Sequence, residues 1–290
     1  MSIVRPRRSV LYMPGANARA LDKARTLPAD ALILDLEDAV APDAKDLARR
    51  QVMEAVAQGG YGWREIVVRM NGLDTPWGLD DLNAIATSGA AAILVPKVET
   101  ARQVHEVEAL LDKAGAPADL AIWCMMETPK AVLNALEISG ATPRLTTIVM
   151  GTSDLTKDLH ARHTALRLPM LTALGLSLLA ARAYNLTILD GVYLDLQDAD
   201  GFRAACVQGL ELGFDGKTLI HPSQVEPCNE VFAPSPAEVD TARRIIIAFR
   251  EAEAAGKGVV VVDGKLVENL HVVGAERMVA LADAIAARGA

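Results

Sequence analysis

Eight short apolar runs recur along the chain, spaced so that each interval leaves room for a strand, a loop and a helix. Most are continuous runs of Val, Ile, Leu and Ala, which is typical of strands in a parallel sheet covered on both faces. The runs lie at 9–13, 31–34, 66–69, 91–95, 120–125, 146–150, 186–189 and 216–219. Helical patterns separate them, for example at 44–57, 101–113, 129–136 and 170–184. This alternation limits the fold to a parallel barrel or an open parallel sheet.

Eight such units over about 220 residues fit a closed (β/α)8 barrel better than an open doubly wound sheet. No GxGxxG follows the first run, as a dinucleotide-binding sheet would require. After residue 222 the pattern changes to a long helix over 236–255, a short hairpin turning at Asp263-Gly264, and a last helix over 273–287. We therefore predict an α/β fold with a (β/α)8 TIM barrel in residues 1–222 and a helical C-terminal extension in residues 223–290.

Charge and cysteine usage exclude several classes of protein. The 29 Lys and Arg against 37 Asp and Glu give a net charge of −8, so a global basic surface for nucleic acid is absent. Three widely spaced cysteines make neither a disulfide framework nor a CxxC metal clamp, which favours a reducing compartment. No apolar stretch reaches the 18 residues of a membrane span, and the run after Arg8 is too short for a secretory signal. We expect a cytoplasmic protein without nucleic-acid or membrane partners.

Polar residues directly follow most of the apolar runs. In a barrel of this kind the carboxyl ends of the strands meet at one face, and active sites form there. The charged residues in these positions are Asp35, Glu37, Asp38, Arg69, Lys97, Glu99, Glu127, Asp154 and Asp190, with Lys217 inside the eighth unit. Charges of both signs are therefore expected around one cavity.

Glu127 and Asp154 follow consecutive strands and are expected to lie side by side. Two carboxylates together with waters and a chelating substrate suit Mg²⁺, which dehydrates reluctantly and prefers oxygen ligands. The alternative is that both are ordinary acids at helix N-termini, since Glu127 precedes Pro129 and Asp154 opens a helical segment. Position alone does not decide between these two interpretations.

Three basic residues are candidates for binding anions. The guanidinium of Arg69 suits a substrate carboxylate or an enolate oxygen, although it also needs an acidic partner such as Glu37 or Asp38 if it is buried. Arg19 and Lys23 stand four residues apart after a Pro-Gly loop, which suits phosphates but is equally typical of a solvated helix face.

The remaining histidines and cysteines indicate little chemistry. His160 and His163 lie in a polar segment and are a weak metal hypothesis, because metal sites usually also recruit a carboxylate. Cys124 lies inside an apolar run and is expected to pack in the core. No Ser-His-Asp arrangement follows from the order of the chain, so nucleophilic catalysis is not indicated.

Taken together, these motifs resemble the citrate lyase beta-chain-like group of CoA ester lyases, in the HpcH/HpaI aldolase/citrate lyase family. The matching segments are RRSVLYMPG (7–15), DLEDAV (35–40), VRMN (68–71), METP (126–129), GTSDL (151–155), LGFDGK (212–217) and IHP (220–222). They occur in order over nearly the whole chain.

The resemblance implies a Mg²⁺-dependent barrel that forms a homo-oligomer, a trimer or a hexamer. Relatives make or break a carbon–carbon bond between acetyl-CoA, or a related thioester, and a 2-oxo acid such as glyoxylate or pyruvate. By this resemblance Glu127 and Asp154 are the metal ligands and Arg69 is the substrate arginine. Glu37 and Asp38 would complete the site, while Arg19 and Lys23 would contact the CoA phosphates.

The family's acid–base carboxylate comes from the C-terminal extension of a neighbouring subunit, after an Asp/Asn-Gly-Lys turn. Here the turn is Asp263-Gly264-Lys265, and Glu268 stands where an aspartate is usual. The added methylene shifts the carboxylate by about an ångström, a displacement that can cost roughly 10²-fold in rate. Ser153 is a second departure, because many relatives carry asparagine or glutamate there.

Four functions remain open from the sequence. The leading expectation is an oxo-acid lyase that cleaves malyl-CoA or citramalyl-CoA to acetyl-CoA and a 2-oxo acid. The others are a malyl-CoA thioesterase, a citrate lyase beta chain acting on citryl-acyl carrier protein, and a non-catalytic CoA-binding relative that has lost its base.

Overall fold

The computed structural model describes residues 5–288 and contains a closed barrel of eight parallel strands. Each strand pairs with the next along the chain, and β8 pairs with β1 to close the barrel. In order, β1 to β8 span Ser9–Pro14, Ala31–Asp35, Glu65–Arg69, Ala92–Val95, Ala121–Met126, Leu145–Met150, Thr187–Asp190 and Gly216–Leu219. Each predicted run is confirmed to within one residue at either end, and so is the predicted fold class.

The continuous apolar runs are explained by burial on both faces of the barrel wall. Along β2, Ala31 and Ile33 point into the barrel, where they pack in an interior cluster with Trp123. The alternate residues Leu32 and Leu34 belong to the larger core between the strands and the surrounding helices. Because both faces are covered, both sets of positions are apolar.

Ten helices accompany the strands in this part of the chain. In order, α1 to α10 span Ala18–Ala24, Lys45–Gln58, Gly78–Ala86, Ala101–Lys113, Pro129–Leu133, Ala135–Ser139, Thr152–Asp158, Leu171–Ala183, Ala199–Leu212 and Val225–Phe232. α4 begins with a reciprocal capping box between Thr100 and Gln103. The single helix predicted over 129–136 is instead two, because Asn134 leaves helical geometry and donates from its side chain to the carbonyl of Glu99.

The barrel forms a compact unit that runs from Arg7 to Phe232, whereas the sequence indicated a boundary at residue 222. α10 packs against α9, β1 and β8, which makes it part of the barrel. Asn229 on this helix accepts a hydrogen bond from Ser9 and donates one to the carbonyl of Pro28. These contacts anchor α10 to the amino-terminal end of the barrel strands.

The C-terminal unit contains α11 (Pro236–Ala254), the antiparallel pair β9 (Val260–Val262) and β10 (Lys265–Val267), and α12 (Asn269–Ala286). Its small core is formed by Phe249, Val267 and Val272. The last helix begins at Asn269, earlier than the sequence predicted. Glu268 has an extended backbone, and its N–H donates to Nδ1 of the His271 ring. This hydrogen bond caps the helix at Glu268, so that the helix begins ahead of Gly274.

Candidate active site

The carboxyl ends of the barrel strands surround a cavity of about 360 Å³. Tyr12 and Met125 add apolar surface to its wall. The charged side chains that line it are Asp35, Asp38, Arg69, Glu127 and Asp154. A concave site with a few convergent polar groups in a largely apolar wall is the usual form of a small-molecule site. The cavity therefore lies at the face where polar strand-end residues were expected to meet.

Arg69 is held rigidly by Asp35, its register partner on the neighbouring strand. Nε and Nη2 of Arg69 each donate to one carboxylate oxygen of Asp35, both at 2.6 Å. The same carboxylate accepts from the backbone N–H groups of Glu37 and Ala39. The guanidinium also lies over the ring of Tyr12, 4.9 Å from its centroid. Such a bidentate pair fixes the orientation of the arginine as well as its charge.

The third nitrogen of Arg69 faces two further carboxylates. Nη1 lies 2.8 Å from Oε2 of Glu37 and 3.4 Å from Oδ2 of Asp38. The expected pairing of Arg69 with these residues is therefore present, in addition to the stronger pair with Asp35. Burial alone would lower the pKa of Arg69, but the carboxylates of Asp35 and Glu37 outweigh it and raise that pKa well above its usual value.

The pKa of Glu37 is strongly altered by its surroundings. Burial raises its pKa to about 8, because Arg69 compensates only part of the cost of desolvating the carboxylate. Although Oε2 lies next to Arg69, it has no aligned hydrogen-bond partner among the described residues. A carboxyl group that titrates near neutrality is suited to accept or donate a proton. Asp38, by contrast, is 66% exposed at the mouth of the cavity.

Glu127 and Asp154 converge on one cation, the ammonium of Lys97. Glu127 directly follows β5, and Asp154 lies in the first turn of α7, after β6. Nζ of Lys97 lies 3.8 Å from Oε1 of Glu127 and hydrogen-bonds Oδ2 of Asp154. The backbone N–H of Lys97 also donates to Oε1 of Glu127, at 2.7 Å. The two carboxylates thus lie side by side, as their positions in sequence indicated.

The pKa values of the two carboxylates are shifted in opposite directions. Burial raises the pKa of Glu127. Burial acts in the same direction on Asp154, but the ammonium of Lys97 outweighs it and lowers that pKa below its usual value. Within residues 5–288, no cluster of three or more His, Cys, Asp or Glu side chains is placed to hold a metal ion. A pair of hard oxygen donors around one cation fits Mg²⁺, which keeps several of its waters and takes one or two protein carboxylates.

The other predicted residues lie away from this group. Arg19 and Lys23 are exposed on α1, which follows the carboxyl end of β1. Glu268 is exposed at the N-terminus of α12 in the C-terminal unit. His160 and His163 lie in the loop after α7, and in the described part of the chain they belong to no group of three or more possible metal ligands.

A buried ion cluster between the end of β7 and the interior of β8 was missed by sequence reasoning. Arg167 donates to both carboxylate oxygens of Asp190 at 2.7 Å, and Lys217 lies 2.8 Å from one of them. Lys217 and Asp190 are buried completely or nearly so. Burial would raise the pKa of Asp190, but Lys217 and Arg167 outweigh it and lower that pKa. The usable signal was a lysine inside an apolar strand, because a buried lysine needs an acidic partner.

Asp35 and Lys97 are the other functional residues whose roles the sequence did not reveal. Both were noted only as polar residues that follow a strand. Their roles depend on contacts across strands, since Asp35 meets Arg69 from β3 and Lys97 meets Glu127 and Asp154 from two later units. The sequence showed a charged residue near each of these two strand ends, but it did not show which other side chains Asp35 and Lys97 would contact.

None of the helices described in residues 5–288 is both long and apolar enough to cross a membrane.

Comparison with known proteins agrees with this architecture. The sequence profile of the HpcH/HpaI aldolase/citrate lyase family matches residues 8–222. The (3S)-malyl-CoA thioesterase of Cereibacter sphaeroides (strain KD131) is 56% identical over 282 residues, which cover 97% of this chain and 96% of that protein. Citrate lyase subunit beta of Escherichia coli (strain K12) is 38% identical over 269 residues, covering 91% of this chain and 89% of that protein.

A solved structure resembles this one over almost its whole length. The protein CitE from Mycobacterium tuberculosis, in complex with magnesium, acetoacetate and coenzyme A, superposes with a TM-score of 0.75 at 29% identity. The match covers 95% of this chain and 97% of that one. The resemblance indicated by the strand-end motifs is thereby confirmed. The chain belongs to the HpcH/HpaI aldolase/citrate lyase family.

Proposed function

We propose that the chain is a Mg²⁺-dependent thioesterase that hydrolyses malyl-CoA or a similar 3-hydroxyacyl-CoA to free CoA and a hydroxy dicarboxylic acid. The observation that carries the proposal is the pair of carboxylates, Glu127 and Asp154, that converge on one cation in the cavity lined by Arg69. The 56% identity to a (3S)-malyl-CoA thioesterase, over nearly all of both chains, supports this reaction over others in the family.

Glu127 and Asp154 would hold the magnesium ion. The fit rests on their hard oxygen donors, on their approach from adjacent strand ends, and on the cation that they already share, the Lys97 ammonium. When bound, Mg²⁺ supplies Lewis-acid polarisation of an oxygen and a template that orients a chelating substrate.

Arg69 would bind the negatively charged part of the substrate. Its guanidinium stays charged because Asp35 and Glu37 raise its pKa. Nε and Nη2 pair with Asp35, which leaves Nη1 on the side of the guanidinium that faces away from Asp35. A rigid, preorganised positive group stabilises a carboxylate, or charge that develops on oxygen during the reaction, without reorganisation at that moment.

Glu37 is the group best suited to move the proton. As carboxylate it would take a proton from the water that attacks the thioester carbonyl carbon. The carbon–sulfur bond then breaks, and the thiolate of CoA takes that proton from the Glu37 carboxyl. Its pKa of about 8 leaves both protonation states accessible near neutrality. Asp38 beside it would help to hold Arg69.

The CoA part of the substrate would extend from the cavity toward solvent. Arg19 and Lys23 lie exposed on α1, the helix that follows the carboxyl end of β1, and would contact its phosphates.

The second candidate is the carbon–carbon lyase reaction, and the 38% identity to citrate lyase subunit beta favours it. In that reaction a base removes the 3-hydroxyl proton, the carbon–carbon bond breaks to leave a 2-oxo acid, and the acetyl-CoA enolate takes up a proton. Glu268 would be the acid–base group, supplied by the C-terminal unit of a neighbouring subunit in a homo-oligomer. In this case Glu268→Gln stops release of the oxo acid while Mg²⁺ binding is retained.

The products separate the two reactions. Purified protein is incubated with malyl-CoA, with citramalyl-CoA and with citryl-acyl carrier protein, each with Mg²⁺ or with a chelator, and free thiol, acetyl-CoA and 2-oxo acid are measured. The proposal predicts free thiol without oxo acid, only when Mg²⁺ is present, and its loss in Asp154→Asn. Glyoxylate or pyruvate together with acetyl-CoA would establish the lyase instead. Ligand binding without any product would identify a non-catalytic relative, and turnover of citryl-acyl carrier protein alone a citrate lyase beta chain.

A further inference from the structure

Lys97 has a backbone conformation that lysine rarely adopts. It lies two residues after the end of β4 and is left-handed, with φ at +51°. Such a conformation is unfavourable for a residue other than glycine and persists only where its surroundings determine it. In this conformation both the N–H and the side chain of Lys97 reach Glu127, at 2.7 Å and 3.8 Å from the same oxygen, Oε1.

The side chain of Lys97 connects the two carboxylates to which the proposed function assigns the metal. Its ammonium hydrogen-bonds Oδ2 of Asp154 while it remains near Glu127. Two carboxylates this close repel each other unless a positive charge lies between them. The ammonium of Lys97 provides that charge from within the chain.

A divalent ion bound by these carboxylates would compete with the ammonium. Mg²⁺ takes carboxylate oxygens at about 2.0–2.1 Å, so it would compete for the same two carboxylates that the Lys97 ammonium now contacts. Two cations a few ångströms apart in a partly dehydrated cavity repel strongly. The Lys97 side chain is 42% exposed, so the ammonium has a way out to solvent.

We propose that Lys97 is a built-in counter-cation, which holds Glu127 and Asp154 together until Mg²⁺ displaces its ammonium. The backbone N–H of Lys97 stays on Glu127 throughout and keeps that ligand in position. This inference rests on the metal site of the proposed function. It makes Lys97 a positioning residue that sets the affinity and the exchange of the ion.

Lys157 provides a matched control. Its ammonium also pairs with Asp154, at 3.5 Å, but on the other oxygen, Oδ1. Its side chain is 72% exposed, and exposed pairs of this kind contribute little. The two lysines therefore carry the same charge near the same carboxylate, that of Asp154. They differ because the ammonium of Lys97 also lies near Glu127.

The test is a calorimetric titration of MgCl₂ into the full-length protein and its Lys97→Met and Lys157→Met variants, with thermal unfolding in parallel. Lys97→Met should bind Mg²⁺ about tenfold more tightly, because a competing charge is gone. Without Mg²⁺ its melting temperature should fall by about 2–4 °C, because the carboxylates lose their counter-charge, and Mg²⁺ should restore it. Lys157→Met should change the Mg²⁺ affinity by less than about threefold.

A second variant separates the effect of the Lys97 ammonium from that of its backbone conformation. Lys97→Gly keeps the N–H that holds Glu127, tolerates the positive φ, and should also bind Mg²⁺ more tightly. Equal or weaker Mg²⁺ binding in both Lys97 variants would overturn the inference while leaving the metal site intact. Absence of Mg²⁺ binding in the unmodified protein would instead refute the metal site itself, so the two failures are distinguishable.

Discussion

At the scale of single residues, the site depends on charged groups that hold one another in place. Arg69 keeps its orientation because Asp35 accepts hydrogen bonds from two of its nitrogens. The Asp35 carboxylate is itself fixed by hydrogen bonds from two backbone N–H groups. Oε2 of Glu37 lies beside this pair but has no aligned hydrogen-bond partner among the residues described. Its carboxyl is therefore the one in the group whose protonation changes most easily near neutral pH.

Glu37 gives the protein a specific dependence of stability on pH. Because burial raises its pKa to about 8, the folded state binds a proton that the unfolded state releases above about 4.5. The stabilisation from neutral Glu37 is complete below that lower value and is lost as the pH rises through 8. Glu37→Gln should remove this loss, because glutamine does not titrate. The melting temperature of the variant minus that of the unmodified protein should therefore increase from pH 5 to pH 9. A difference independent of pH would contradict the assignment.

At the scale of the elements, the strands were predictable and the helix boundaries less so. Strands buried on both faces leave apolar runs of the right length, which can be read directly. The break between α5 and α6 and the early start of α12 depend instead on single side-chain hydrogen bonds, made by Asn134 and His271. Such bonds leave no periodic trace in the sequence.

At the junction between β6 and α7, the backbone of Gly151 lies close against the side chain of Glu127 and helps to position it. A Cβ added there would lie 2.6 Å from Oε2 of Glu127 and nearer still to its Cβ, although the backbone conformation itself allows alanine. Gly151→Ala should therefore displace the carboxylate and weaken Mg²⁺ binding by at least about tenfold, as measured by calorimetry. Gly175→Ala, in open space within α8, is the control, and should leave Mg²⁺ binding unchanged while it stabilises the protein by about 0.5–1 kcal/mol.

At the scale of the whole molecule, the sequence identified the barrel and the side chains at its carboxyl face, but not which of them pair. Glu127 and Asp154 could be placed together because they follow consecutive strands. The cluster of Asp190, Lys217 and Arg167 joins the end of β7 and the interior of β8 to the loop between α7 and α8, in which Arg167 lies 23 residues before Asp190. Arg167 lies in a loop rather than at a strand end, so its pairing with Asp190 could not be read from the order of the strands.

This cluster should contribute strongly to the stability of the closed barrel. Lys217→Met leaves Asp190 buried with one cationic partner fewer, and we expect the free energy of unfolding to fall by about 3–5 kcal/mol. Urea denaturation followed by circular dichroism measures this loss. Lys130→Met, which removes an exposed pair with Glu99, should cost less than about 1 kcal/mol. Equal losses in the two variants would show that the buried cluster does not stabilise barrel closure.

The proposed activity depends on a divalent ion between Glu127 and Asp154. The most direct measurement is the anomalous scattering of Mn²⁺, substituted for Mg²⁺ in crystals of the full-length protein. We predict one strong peak with carboxylate oxygens of both residues at about 2.0–2.2 Å, and its loss in Asp154→Asn. A peak at any other site, or none between these two carboxylates at saturating Mn²⁺, would contradict the account.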